Sequence, residues 1–362
     1  MINSRRLVNT FKQLVRIDSL SLKEGKLASF LKKELASLGL KVQEVGKPKE
    51  GEVGNLMLDL PGEGERILLN AHLDTVTPGE KIKPVEKNGY IYSDGKTILG
   101  ADNKAGVAAI LEVLRVIKEK KLAHRNLRVI FTVAEEIGLV GAKALPQKFI
   151  SADFGIALDG GDIHEIIHKA PSQINLAAKV IGRAAHAGVH PEEGINAIKV
   201  ASQAIAGMKL GRINKDTTAN IGVIKGGKAT NIVPDEVEMK GEARSHSPFK
   251  LKKQVSHMRQ ALKRSCTKAK AKLIINTGQV YRSFDIKKEH RVLKLAMSAV
   301  RKVGIKPILK QTGGGSDANI FNAAGVPTII MGVGADHVHT TKERLKVADL
   351  IKGTEIVLGL CA

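Results

Sequence analysis

Residues 66–74 read RILLNAHLD, a run of apolar residues that stops on His72 and Asp74. An ionisable pair at the end of a buried strand is costly unless something there binds it. The neighbouring segments repeat the arrangement. GNLMLDL (54–60), LRVIFTVAEE (127–136) and FGIALDG (154–160) are further apolar strand-like runs, and two of the three end on carboxylates. Between the strands, a helix expected from Lys104 to about Lys121 carries Val107, Ile110, Leu111, Leu114 and Ile117 at a 3.6-residue period. Continuous apolar strands alternating with helices imply an α/β fold whose mixed, largely parallel sheet is covered on both faces.

Near residue 170 the pattern changes. INLAAKVIG (174–182) is followed by a helix with Ile195, Ile198, Ala201, Ile205 and Met208 on one face. Then come strands TTANIGVIKG and VEMKGEARS, a helix from about 248 to 270, and strand KLIINTGQV. That βαββαβ order is the split-βαβ, ferredoxin-like arrangement. From about 283 the α/β pattern returns, with a helix at 289–303, strand VPTIIMGV and a last helix at 347–360. The expected organisation is one α/β domain from 1–170 and 283–362, with a smaller domain, 171–282, inserted into it.

Composition narrows the function. An apolar share of 43% suits a globular chain, and no apolar run is long enough to cross a bilayer. The start, MINSRRLVNTFKQLVRIDSL, patterns as an amphipathic helix rather than a signal peptide. Cys266 and Cys361 fit neither a disulfide framework nor a metal motif, so a cytoplasmic protein with no membrane partner is expected. A net charge of +22 raises the rival reading of a basic nucleic-acid-binding protein. Against it, the lysines scatter over helix faces, as in KEKK (118–121) and KLKK (250–253). There is no tryptophan, there are three tyrosines, and no nucleic-acid motif is present, so no specific nucleic-acid partner is expected.

In open α/β sheets ligands gather beyond the carboxyl ends of the strands. His72 and Asp74 end one strand, Glu135 and Glu136 end another, and Asp159 ends a third. Asp102 in LGADNKAG precedes a helix, and His339 in DHVHTTKE follows a strand. Each has an ordinary structural explanation alone; Asp102, for instance, suits a helix cap. Together they offer two histidines and three carboxylates, a nitrogen and oxygen set suited to zinc. One carboxylate shared between two ions, with two further ligands on each, is the layout of a two-metal hydrolase.

AHLDTV, GADNKAGVA, TVAEEIGLVGA, ALDGG, GRAAHAG, GGGSDANIF and HTTKE, in that order and across nearly the whole chain, resemble the co-catalytic zinc metallopeptidases. That family includes peptidase T (tripeptide aminopeptidase), glutamate carboxypeptidase, succinyl-diaminopimelate desuccinylase and aminoacylase, and the likeness is greatest to the peptidase T-like branch. The resemblance implies a zinc-exopeptidase-like catalytic domain with an inserted lid that also dimerises. It implies two Zn²⁺ per chain, with Co²⁺ or Mn²⁺ able to substitute. His72, Asp102 and Asp159 would hold one ion, and Asp102, Glu136 and His339 the other. Glu135 would be the general base, and Asp74 would hold the second ring nitrogen of His72. His337 competes with His339; His339 is preferred because HTTKERLKVADL matches the family's closing motif. On the lid, His186 would stabilise the oxyanion, Asn231 and Arg244 would contact substrate, and the glycines of GGGSDAN, Gly314 and Gly315 among them, would let backbone approach it. The implied activity is release of the N-terminal residue from di- or tripeptides. The alternative is deacylation of N-acyl amino acids on the same metal core.

Overall fold

The computed structural model describes residues 1–362, and the chain divides into two compact units. The first comprises Met1–Lys169, Asp285–Thr312 and Ser316–Ala362; the second comprises Ala170–Phe284 with Gly313–Gly315. The divisions thus fall at 169/170 and 284/285 rather than 170/171 and 282/283, and three glycines of the GGGSDAN stretch count with the second unit.

The first unit is built on a nine-stranded mixed sheet. Its centre is four parallel strands in the order Arg125–Thr132, Glu63–His72, Phe154–Gly160 and Thr328–Gly332. Antiparallel strands flank them, Asn55–Leu60 on one side and Glu165–Ala170 on the other. From Ile67 to His72 every residue is buried, whichever face it points to. Leu68 and Ile130 pack with Met57, Phe321 and Val326 on one side of the sheet. The helix Ala101–Lys120 packs against the strands and is itself covered by helices Ser4–Val15 and Val347–Cys361. That double cover is why RILLNAHLD reads as continuous rather than alternating. Each fully buried leucine contributes roughly 1.5–3 kcal/mol.

A small antiparallel sheet, Val85–Lys87, Tyr90–Tyr92, Arg344–Lys346 and Ala335–Asp336, was not evident in the sequence. Its strands are only two or three residues long, too short for a period to show. It matters because Ala335 pairs with Leu345 and Asp336 with Arg344, which closes residues 337–343 into a loop.

The second unit is a five-stranded antiparallel sheet in the order Gly211–Asn214, Thr217–Gly226, Glu236–Ser245, Ser172–Ile181 and Lys272–Tyr281. The ferredoxin-like order is present, with the edge strand Gly211–Asn214 added to it. The helices Ala197–Ala206 and Pro248–Ala269 share one core with Leu176, Ala178, Val180, Val237 and Met239. Of the expected helical stripe, Ala201, Ile205 and Met208 join this core, but two positions need correcting. Asn196 caps the first helix, so Ile195 lies outside it, paired with Arg183, and Ile198 is exposed. The buried face is Ala197, Val200, Ala201 and Ala204, because small residues let this helix lie close to the sheet.

Candidate active site

Because the four central strands are parallel, their carboxyl ends emerge together. His72 and Thr132 are register partners, so His72 and the Glu135–Glu136 segment leave the sheet side by side. The next strand delivers Asp159, and the one beyond leads to the His339 loop. Asp159 needs Gly160 after it, since a Cβ there would lie 2.9 Å from the backbone nitrogen of Gly332. Asp102 sits in the first turn of its helix with non-helical backbone angles and does not cap that helix.

The side chains meet in two groups of possible ligands, His72–Asp102–Asp159 and Asp102–Glu136–His339. His72 Nε2 lies 3.0 Å from Asp102 Oδ1 and 3.5 Å from Asp159 Oδ1. His339 Nε2 lies 3.3 Å from Asp102 Oδ2 and 3.0 Å from Glu136 Oε1. Asp102 therefore offers one oxygen to each group. Atoms bound to a zinc-class ion at tetrahedral corners stand about 3.3 Å apart. The observed spacings bracket that value, and the imidazole and carboxylate donors suit such an ion, so the residues fit two metals sharing Asp102. His337 belongs to neither group: it pairs with Asp336 at 2.8 Å, although it lines the cavity beside Asp102 and Asp159. Glu135 stands with His72 and Glu136 in a further cluster.

Asp74 does more than face the histidine. His72 Nδ1 is 3.0 Å from the backbone oxygen of Asp74 and 3.4 Å from its Oδ1. The same carboxylate accepts the amides of Glu135 at 2.9 Å and Glu136 at 3.1 Å, and the Ser21 hydroxyl at 2.6 Å. Two further buried carboxylates had no assigned role in the sequence. Glu343 accepts the amides of Leu99 and Gly100 at 2.8 Å and of Asp102 at 3.0 Å. Asp317 of GGGSDAN accepts the hydroxyl of Thr132. Glu343 closes the HTTKE motif, but its role depends on a contact some 240 positions away, which no local pattern announces.

So many acids in one place disturb each other. Burial pushes Glu135 well above the usual carboxylate range, and the charges of Asp159, Asp317 and Glu136 add to the effect while His72 opposes it. Burial likewise lifts Asp159 to about 7 and Asp317 to about 6. Hydrogen bonds to Asp102 and Glu136 raise His339 to about 10. Burial disfavours a charged His72, yet bonds to Asp102, Asp159 and Asp74 outweigh it and raise that pKa as well. A pocket with surplus buried negative charge is one that cations relieve. Beside Asp102 and Asp159 lies a cavity of about 220 Å³ whose wall includes Asp162, Val333, Asp336 and Val338.

In the second unit, His186 and Ile232 form an isolated bridge and the Ala187 amide donates to the oxygen of Asn231, so His186 and Asn231 lie on adjoining segments, both exposed. Arg244 is not a free cation. Its Nε and Nη2 donate to the two oxygens of Glu242 at 2.8 and 3.0 Å, and Gln173 holds Glu242 in turn. Gly315 is required for packing, since a side chain there would run into the Tyr281 ring. Gly313 has open space where its side chain would be.

The model of peptidase family M20/M25/M40 matches residues 68–362. A tripeptidase structure from Staphylococcus aureus is 43% identical, covers 99% of this chain and 98% of its own, and superposes with a TM-score of 0.95. The aminopeptidase PepT of Bacillus cereus is also 43% identical over the same shares, with a TM-score of 0.89. At 18% identity, a Bacillus subtilis protein described as a dinuclear metal binding peptidase shares the fold, with a TM-score of 0.74 over 99% of this chain and 97% of its own. With strand ends that carry two donor groups and a family match over most of its length, the chain belongs to peptidase family M20/M25/M40.

Proposed function

We propose that this chain is a two-zinc aminopeptidase that releases the N-terminal residue of di- and tripeptides. The observation that carries the reading is Asp102, whose two oxygens face His72 and His339 separately. The 43% identity to a tripeptidase and to PepT supports the substrate class. His72, Asp102 and Asp159 would hold one ion, and Asp102, Glu136 and His339 the second. Bound there, such a pair supplies Lewis acidity toward a peptide carbonyl and makes water more acidic. Glu135 takes a proton from the attacking water on its carboxylate and hands it to the leaving nitrogen; a carboxylate of raised pKa is suited to both transfers. Asp74 fixes the ring of His72 and the backbone of both glutamates. His186 donates to the developing oxyanion. In this reading the second unit is a lid through which two copies pair. Arg244 would contact substrate only by exchanging its bonds to Glu242.

Aminopeptidase is favoured over N-acyl deacylase by the 43% identity to a tripeptidase and to PepT. Purified protein loaded with Zn²⁺ should release the first residue from di- and tripeptides, leave N-acetylated peptides intact and lose activity with a chelator. Hydrolysis of N-acyl amino acids without peptide cleavage would replace this reading by the deacylase.

A further inference from the structure

After the strand Arg125–Thr132 ends, four successive amides leave the sheet, and buried side chains capture all of them. Val133 N donates to Asn55 Oδ1 at 3.1 Å, and Ala134 N to Glu24 Oε1 at 2.8 Å. Glu135 N and Glu136 N donate to the two oxygens of Asp74. Asn55, Glu24 and Asp74 are each fully buried. The carbonyls of 133, 134 and 135 are occupied as well, by the amides of Gly141, Val140 and Leu139. At the centre Ala134 has φ of +51°, the left-handed region that a non-glycine residue rarely adopts without support. Something must hold it there, and the buried hydrogen bond from the Ala134 amide to Glu24 acts on that residue directly.

Glu24 stands at the start of helix Gly25–Ser37, where a side chain ordinarily caps the helix, yet it makes no capping bond. It turns to Ala134 instead and also takes the Leu22 amide at 3.0 Å. Its other oxygen, Oε2, is buried without a hydrogen-bond partner. A carboxylate that leaves its own helix uncapped and one oxygen unsatisfied is not there for the stability of that helix.

We infer that Glu24 is a positioning residue: by holding the Ala134 amide it keeps the turn left-handed and aims the carboxylate of Glu135 at its proton. This rests on the reading of Glu135 as general base. A misplacement of about 1 Å at such a group is enough for a loss near 10²-fold.

The test is a mutant cycle on the Zn²⁺-loaded enzyme with a tripeptide substrate. Glu24→Leu should lower kcat about 10- to 100-fold, with KM within about threefold of wild type and metal content unchanged. Glu24→Gln keeps an acceptor in place and should stay within about threefold in kcat. In a Glu135→Gln background, Glu24→Leu should change kcat by less than about twofold, since the residue it positions is already disabled. If Glu24→Leu does not fold, Glu24→Asp, which withdraws the acceptor by one methylene, is read the same way. A folded Leu or Asp variant with full kcat overturns the proposal, as does a Gln variant as poor as Leu, or a loss of equal size in both backgrounds. Full activity of Glu135→Gln alone would instead remove the base assignment and, with it, the target of the positioning.

Discussion

Glu343 Oε1 accepts the amide of Asp102 at 3.0 Å, so a carboxylate from the far end of the chain sets the attitude of the residue that both histidines face. Its Oε2 takes two more amides, Leu99 and Gly100, and the side chain is buried. Glu343→Ala would strand three donors, for a loss of roughly 2–4 kcal/mol, and loosen the shared ligand enough to weaken metal binding about 10- to 100-fold. Thermal melts and metal titration check this; wild-type affinity in a folded Glu343→Ala protein would contradict it.

Metal content is the most direct prediction. Two donor groups sharing Asp102 should take up about two zinc-class ions per chain. Chelation should abolish peptide hydrolysis while far-UV circular dichroism stays nearly unchanged, because the sheet core is apolar and lies beneath the site. Saturation at one ion after loading would sink the two-metal arrangement.

The proposed mechanism gives the neighbours Glu135 and Glu136 different duties, and a one-atom change should separate them. Glu135→Gln is expected to lower kcat by about 10² to 10⁴ and keep both ions. Glu136→Gln is expected to lose one. A matching metal profile for the two variants would mean that the roles are wrongly divided.

Burial, with the nearby charge of Asp74, raises Glu24 to about 7. Its unfolded value is near 4.3, so the folded state holds the proton more tightly. The resulting stability is present below about pH 4 and is lost as pH rises through 7, by at most on the order of 3–4 kcal/mol. Metal-free protein should therefore melt at lower temperature at pH 8 than at pH 5.5, and Glu24→Gln should flatten that slope. An unaltered slope in the variant would assign the effect to other groups.

For the second unit the expected result concerns His186. Changing it to Ala should lower kcat by about 10² with metal content intact. If two copies exchange this residue, mixing His186→Ala with Glu135→Gln subunits should restore partial activity, since some pairs contain one complete site. No recovery among subunits shown to exchange would place His186 in its own chain's site, and an active His186→Ala enzyme would remove it from the mechanism.

The strands and donors of the first unit were legible because each leaves a local mark. A doubly covered strand is a continuous apolar run, and His72, Asp102, Asp159 and Glu136 interrupt such runs or the helix start beside them. What stayed hidden is relational. That Asp74 holds two amides, that Glu24 turns from its helix to Ala134, and that Glu343 reaches Asp102 all depend on tertiary approach. The pairing of Arg244 with Glu242 was within reach, since residues two apart on a strand share a face. Of the expected stripe Ile198 alone is exposed, because alanines, which say little in a hydropathy pattern, form the close contact.

The insertion of one unit into the other also bears on how the molecule is made. Thr328–Gly332 lies between Phe154–Gly160 and Glu165–Ala170 in the sheet, although more than 150 residues of chain separate it from them. During synthesis from the N-terminus, the second unit is complete while the first still has a gap in its middle. Domains generally fold as units in order of emergence, and long-range strand insertion is slow. A nascent chain should thus hold a formed smaller body while its larger sheet is still open. Since His339 lies beyond that late strand, the two donor groups are not both assembled until the strand has been inserted.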